Sequence, residues 1–138
     1  MTTNRDIVTR AFADWSAGTG AISDIFAPEM RWEVVGESVV AGTYHSADEF
    51  ITKALGPFNA RFRPDSPYRP VNRRAIYEDA EANTVVTLFD GRGITLAGTP
   101  YENTYAWFLT LRDGRVVDGK ALFDSRAFDD LWKIQPAG

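Results

Sequence analysis

The chain has 138 residues, 44% hydrophobic and 25% charged, with 19 acidic against 15 basic side chains for a net charge of −4. That is the length of one domain able to bury a core, and the acidic balance argues against a general nucleic-acid binder. There is no cysteine and one histidine, which excludes disulfides, thiolate nucleophiles, Cys-based zinc or iron–sulfur sites and a multi-His metal centre within one chain. No apolar run approaches the roughly 20 residues of a membrane span, and the first ten residues lack an apolar signal-peptide core. The expectation is a cytoplasmic chain forming one domain over residues 1–138, without metal, cofactor, membrane or nucleic-acid partner.

Ile7, Val8, Ala11, Phe12 and Trp15 fall on one stripe of an amphipathic helix, capped by Thr2 or Thr3 and ended by Gly18 and Gly20. A short second helix is predicted at Ile22, Ile25 and Phe26, closed by Pro28. Trp32 to Val35 reads as a strand, and the turn-rich stretch Gly36 to Thr43 has room for another at Ser38–Ala41. Ser46 and Glu49 make a capping box ahead of Phe50, Ala54, Leu55 and Phe58 at helical spacing.

Asn59 to Pro70, with three prolines and three arginines, reads as irregular. Strands are then predicted at Val71–Tyr77, at Asn83–Leu96 with a bend or bulge at Asp90–Gly93, and at Tyr101–Leu111. A tight turn at Arg112–Arg115 folds the last of these onto Val116–Phe123 as a hairpin, and Ser125 caps a final helix with Phe128, Leu131 and Trp132. Arg61, Arg63, Arg69, Arg73 and Arg74, followed by Glu78, Asp79 and Glu81, read as local ion pairing on a solvated face. Helices followed by a run of antiparallel strands spell an α+β fold with the helices on one sheet face. Tyr105, Trp107, Leu109 and Leu111 share one face of the strongest strand, and Ala106 and Phe108 the other. Both faces are apolar, so the uncovered one is expected to meet a second copy as a homodimer.

Three segments carry a family resemblance: Phe26-Ala-Pro-Glu-Met-Arg-Trp32, Gly98-Thr-Pro-Tyr-Glu-Asn-Thr-Tyr105, and Asp113-Gly-Arg-Val-Val117 followed by Ala121-Leu-Phe-Asp124. In this order the chain resembles the SnoaL-like branch of the nuclear transport factor 2-like superfamily. The resemblance implies a cone: a curved antiparallel or mixed β-sheet wrapped around the N-terminal helices, with a deep pocket at one end. It implies a small hydrophobic, oxygen-bearing ligand of polyketide, steroid or terpene type. It also implies cofactor-free isomerase, cyclase or hydrolase chemistry, although the same fold serves non-catalytic binding, association and oxygenase accessory domains.

In ketosteroid isomerase an acidic base and a protonated Asp do the work. The first matching position holds Val34 and the second lies near Tyr105 or Ala106, so that dyad is absent. The epoxide hydrolase pattern points to Asp124 at the end of the last strand, whose other reading is the first turn of the following helix. Asp90 and Arg92 repeat the Arg-x-Asp order in reverse, or belong to a solvated bend.

His45, the sole side chain titrating naturally near neutral pH, is the default general base or else a surface residue before the Ser46 cap. Tyr101, Asn103 and Tyr105 share a strand face and either hold a ligand oxygen or belong to a subunit interface. With Trp32, Val34, Tyr44 and Phe123 they complete the expected substrate-binding set, His45 and Asp124 being the catalytic candidates.

Overall fold

The computed structural model describes residues 2–137. Helix α1 (Asn4–Ala17) begins at Thr3, whose hydroxyl accepts from the Asp6 N–H while the Asp6 carboxylate accepts from the Thr3 N–H. It ends at Gly18, which takes a left-handed φ of 77°. A 3-10 turn at Ile22–Ile25 leads directly into β1 (Phe26–Val34), so Pro28 lies inside a strand and does not close a helix. β1 tolerates it because pairing with β6 is interrupted between Phe26 and Arg31, where a missing N–H costs no ladder bond.

The second strand is β2 (Gly42–Tyr44), and Ser38–Ala41 is a turn closed by the Ala41 N–H on the Ser38 carbonyl. α2 (Ala47–Phe50), a π-turn at Ile51–Leu55 and α3 (Gly56–Asn59) run end to end. Ser46 caps α2 by accepting from the Glu49 N–H, but the Glu49 carboxylate reaches His45 N–H, one residue before its capping-box target.

β3 (Arg69–Asp79), β4 (Thr84–Ile94), β5 (Pro100–Arg112) and β6 (Arg115–Phe123) follow, then α4 (Ser125–Trp132). The β5–β6 hairpin turns on Asp113 and Gly114, both at positive φ, as a tight two-residue turn requires. Asp124 caps α4 with its carboxylate, in place of the predicted Ser125.

The six strands form one mixed sheet in the order β2-β1-β6-β5-β4-β3, parallel only at β1–β6. The fold is α+β, a curved sheet holding helices in its concavity. The register shifts between β3 and β4 sit at Pro70/Asn72 and Arg73/Ala75, whereas Asp90–Gly93 pairs with β5 without a shift. The predicted bend is absent because those glycines make room: a Cβ at Gly91 would overlap the Tyr68 hydroxyl, and one at Gly93 the Phe62 ring. The predicted local ion pairs are also absent. Pairing across β3–β4 instead sets Arg74 on Asp90 at 2.9 Å, and no pair among the described residues joins the arginines to Glu78, Asp79 or Glu81.

Candidate functional site

Alternation along β5 decides what the concave face carries. Tyr101, Asn103, Tyr105, Trp107, Leu109 and Leu111 are buried there. On β1 and β6 the same face presents Met30, Trp32, Val34 and Ala121, with Gly119 leaving space for the Trp32 indole. α1 seals one end: Phe12 meets Phe89 at 4.9 Å and Trp15 stacks on Trp107 at 5.8 Å.

Toward the other end a cavity of about 50 Å³ remains. Its wall comes from α1 (Trp15), the sheet (Trp32, Tyr105, Trp107, Phe123), the α2–α3 run (Phe50, Phe58) and α4 (Phe128), with Val34, Val40 and Tyr68 between them. Its surface is almost wholly apolar, and no Asp, Glu, His, Lys or Arg belongs to the wall. Room for a few water molecules in an apolar hollow favours a dry one.

The polar atoms in and behind the wall form two sets. Asn103 Nδ2 donates to Tyr101 Oη at 2.8 Å and to the Asp124 carbonyl at 3.0 Å, and Tyr101 Oη lies 2.7 Å from Tyr105 Oη. Tyr101 accepts from Asn103, and either phenol can donate across the Tyr101–Tyr105 contact; with Tyr101 donating, the Tyr105 proton is the one left free for another acceptor. The second set has no partners: Trp32 Nε1, Trp107 Nε1 and Tyr68 Oη are buried and unbonded. An unpaired buried polar group costs roughly 1–3 kcal/mol. Tyr68 Oη lies beside the Tyr105 hydroxyl, near enough for the two to interact but outside good hydrogen-bond geometry, so it is less isolated than the two indole N–H groups.

Burial dominates the acid–base behaviour of these phenols. It pushes Tyr101 up to about 12, and raises Tyr68 and Tyr105 well above the ordinary phenol value. All three therefore stay protonated at neutral pH, as hydrogen-bond donors and not bases.

With this geometry in place, the sequence profile of the SnoaL-like domain matches residues 8–119. The chain belongs to the SnoaL-like domain family. Its fold is shared by an NTF2-like protein from Burkholderia thailandensis, 22% identical over 95% of this chain and 98% of that one, with a TM-score of 0.73. PrhC from Penicillium brasilianum is 16% identical over 95% of this chain and 87% of its own, at a TM-score of 0.74. TerC, crystallised with polyporic acid, is 20% identical over 94% of this chain and 98% of its own, at 0.69. No protein of curated function has a detectably similar sequence.

Within this SnoaL-like fold, Trp32, Val34, Tyr105 and Phe123 border the cavity. Tyr101 and Asn103 stand behind Tyr105, and Tyr44 stands behind Val40, donating to its carbonyl at 2.6 Å. His45 is exposed in the loop before α2 and is not part of the wall. Asp124 is exposed too, its carboxylate spent on the Arg126 and Ala127 N–H groups of α4. Asp90 and Arg92 point to the outer face, where Asp90 holds Arg74 and Arg92 holds Glu102.

Tyr68 was hidden among the prolines and arginines of the irregular stretch. Its signal was remote: Gly91, the residue whose missing side chain admits it. Among the described residues, no group of three or more His, Asp or Glu is placed to hold a metal ion. Among the described residues, too, no helix is long and apolar enough to cross a membrane.

Proposed function

We propose that this SnoaL-like chain binds a small, uncharged, ring-containing molecule that carries an acceptor oxygen. One observation carries the reading: an aromatic cavity with no Asp, Glu, His, Lys or Arg in its wall, whose Trp32 and Trp107 indoles are buried donors lacking partners, with the Tyr68 hydroxyl beside them. An apolar ring replaces wall-to-void surface with contact, while a carbonyl or ether oxygen supplies a missing acceptor. A carboxylate would enter without a cation to meet it, which disfavours fatty acids. The co-crystallisation of TerC with polyporic acid, and a SnoaL-like polyketide cyclase from Jannaschia among proteins of this fold, support a ring-containing, oxygen-bearing ligand. Chemistry at such a site is polarisation of an oxygen by Tyr105, backed by Tyr101 and Asn103.

The test is thermal unfolding with matched probes: a polycyclic ketone, its parent hydrocarbon and a fatty acid of similar size. The ketone is expected to stabilise most, with Tyr105→Phe weakening it by about tenfold, near the upper end for a neutral hydrogen bond. No shift with any ring compound, or a preference for the fatty acid, overturns the reading. His45 and Asp124 act on a ligand only if the mouth opens toward them. If the protein turns over a compound that binds, unchanged turnover in His45→Ala, Asp124→Ala removes them from the chemistry.

Assembly follows from the outer sheet face. Leu88, Ala106 and Leu122 form one cross-strand row and Val86 and Phe108 lie beside it, with Leu122 43% exposed. We infer that a second copy covers this patch. A homodimer in sedimentation that Leu122→Glu converts to monomer is the expected result; a wild-type monomer sinks it.

A further inference from the structure

We propose that the segment between Gly36 and Gly42 is a lid over the cavity mouth, hinged at those glycines and latched to α4 by Asp129. The proposal rests on the cavity being the ligand site. The cavity is too small for a ring compound as it stands, so part of its wall must yield. Most of that wall is built from paired strands, from α1 and from the α2–α3 run, which are hydrogen-bonded along their length. The loop from Gly36 to Ala41 lies outside that pairing.

Residues 37–41 lie outside both strands, Gly42 being the first residue of β2 opposite Val34; Glu37, Val39 and Ala41 are exposed while only Ser38 and Val40 are buried. Val35 N–H, donating to the Ala121 carbonyl at 3.0 Å, is the last fixed point before it. Gly36 and Gly42 then take φ values of 105° and 134°, and nothing lies within 4 Å of where either Cβ would be. Both therefore rotate without a side chain of their own to collide with their surroundings.

Inside these hinges Val40 is the cavity-facing plug. Two hydrogen bonds hold it down: Val39 N–H donates to Asp129 Oδ1 at 2.9 Å, and Tyr44 Oη donates to the Val40 carbonyl at 2.6 Å. The first joins the lid to α4, whose Phe128 walls the same cavity, so releasing it parts two sides of the mouth. Closure also has a built-in cost, because it buries Ser38 Oγ without a partner. Opening returns that hydroxyl to water, which narrows the gap between the two states.

The test needs no ligand, so its outcome is separate from that of the ligand screen. Acrylamide quenching of tryptophan fluorescence reads access to the buried Trp32 and Trp107 indoles, and hydrogen exchange reads the Ala41 N–H within the lid. Wild type is compared with Asp129→Ala and with Tyr44→Phe, and the Trp107 and Leu109 amides of β5 serve as the reference for global opening. Losing one latch is expected to raise quenching and speed Ala41 exchange about fivefold, the weight of one hydrogen bond, while the β5 amides hold. Either variant behaving so sustains the lid. Unchanged quenching and Ala41 exchange in both variants, or acceleration matched by the β5 amides, overturns it.

Discussion

Strands β4 and β5 carry two polar clusters back to back, one on each face of the sheet. Outside, Asp90 accepts from Thr104 at 2.6 Å, from Arg74 at 2.9 Å and from Asn72 at 3.2 Å. Those bonds, the Thr104 hydroxyl foremost, lower its carboxyl to about 2. Inside, at Tyr101, Asn103 and Tyr105, every group is neutral and burial drives the phenols upward. Neighbouring positions of the β4–β5 pair thus have opposite acid–base characters because alternation sends one to water and the next to a dry interior. The outer face keeps its charge at every ordinary pH. The inner face keeps its protons, and therefore donates hydrogen bonds without trading protons.

The contrast breaks most visibly if the inner face is overfilled. Gly119→Val should cost about 3 kcal/mol in denaturant unfolding, because even a Cβ there meets the Trp32 ring. A loss well under that figure would show the aromatic wall to be plastic. Gly91→Ala is next, at about 2 kcal/mol, because the added methyl displaces the Tyr68 hydroxyl. It should also perturb ligand binding.

Titration sharpens the contrast further. The folded Tyr101 phenol is raised from 10.0 to about 12, so in the unfolded chain it ionises first. Stability is therefore complete below pH 10 and declines as pH rises from there toward 12. Alkaline unfolding monitored by circular dichroism should begin in that window, and Tyr101→Phe should shallow the slope.

Asp90 gives the smallest effect, with the opposite sign. Its folded carboxyl sits near 2 against an ordinary 3.8, so its contribution is present above pH 4 and disappears as pH falls from there to 2. Arg74 is about half exposed, so screening keeps the neutral-pH loss in Asp90→Asn to about 1 kcal/mol or less. A larger loss, insensitive to salt, would mean that the outer cluster is structural in its own right.

Elements with strong local signals were readable from the sequence. The α1 stripe from Ile7 to Trp15 and the Arg112–Arg115 turn depend on periodicity and turn chemistry, which operate between near neighbours. The alternation of Tyr101, Asn103 and Tyr105 was equally plain, but the face they occupy was not, because that depends on how helices dock. Pro28 and the Asp90–Gly93 run misled for one reason: each answers to a partner distant in the chain. Pro28 sits in a gap in pairing with β6, and Gly91 and Gly93 clear the path of Tyr68 and Phe62. Asp124 and Ser125 are both good caps, and the choice between them turned on where β6 ends. Of the candidate site, the aromatic wall was foreseeable in kind. Tyr68 and Val40 were not, since both arrive from segments without periodicity.

Asn103 has a further consequence. Its amide grips the backbone carbonyl of Asp124 while the Asp124 carboxylate grips the start of α4. One residue is therefore the shared joint of the phenol array and of the helix beside the mouth. A displacement of α4 is felt at Tyr101 through two hydrogen bonds, without any change in the sheet.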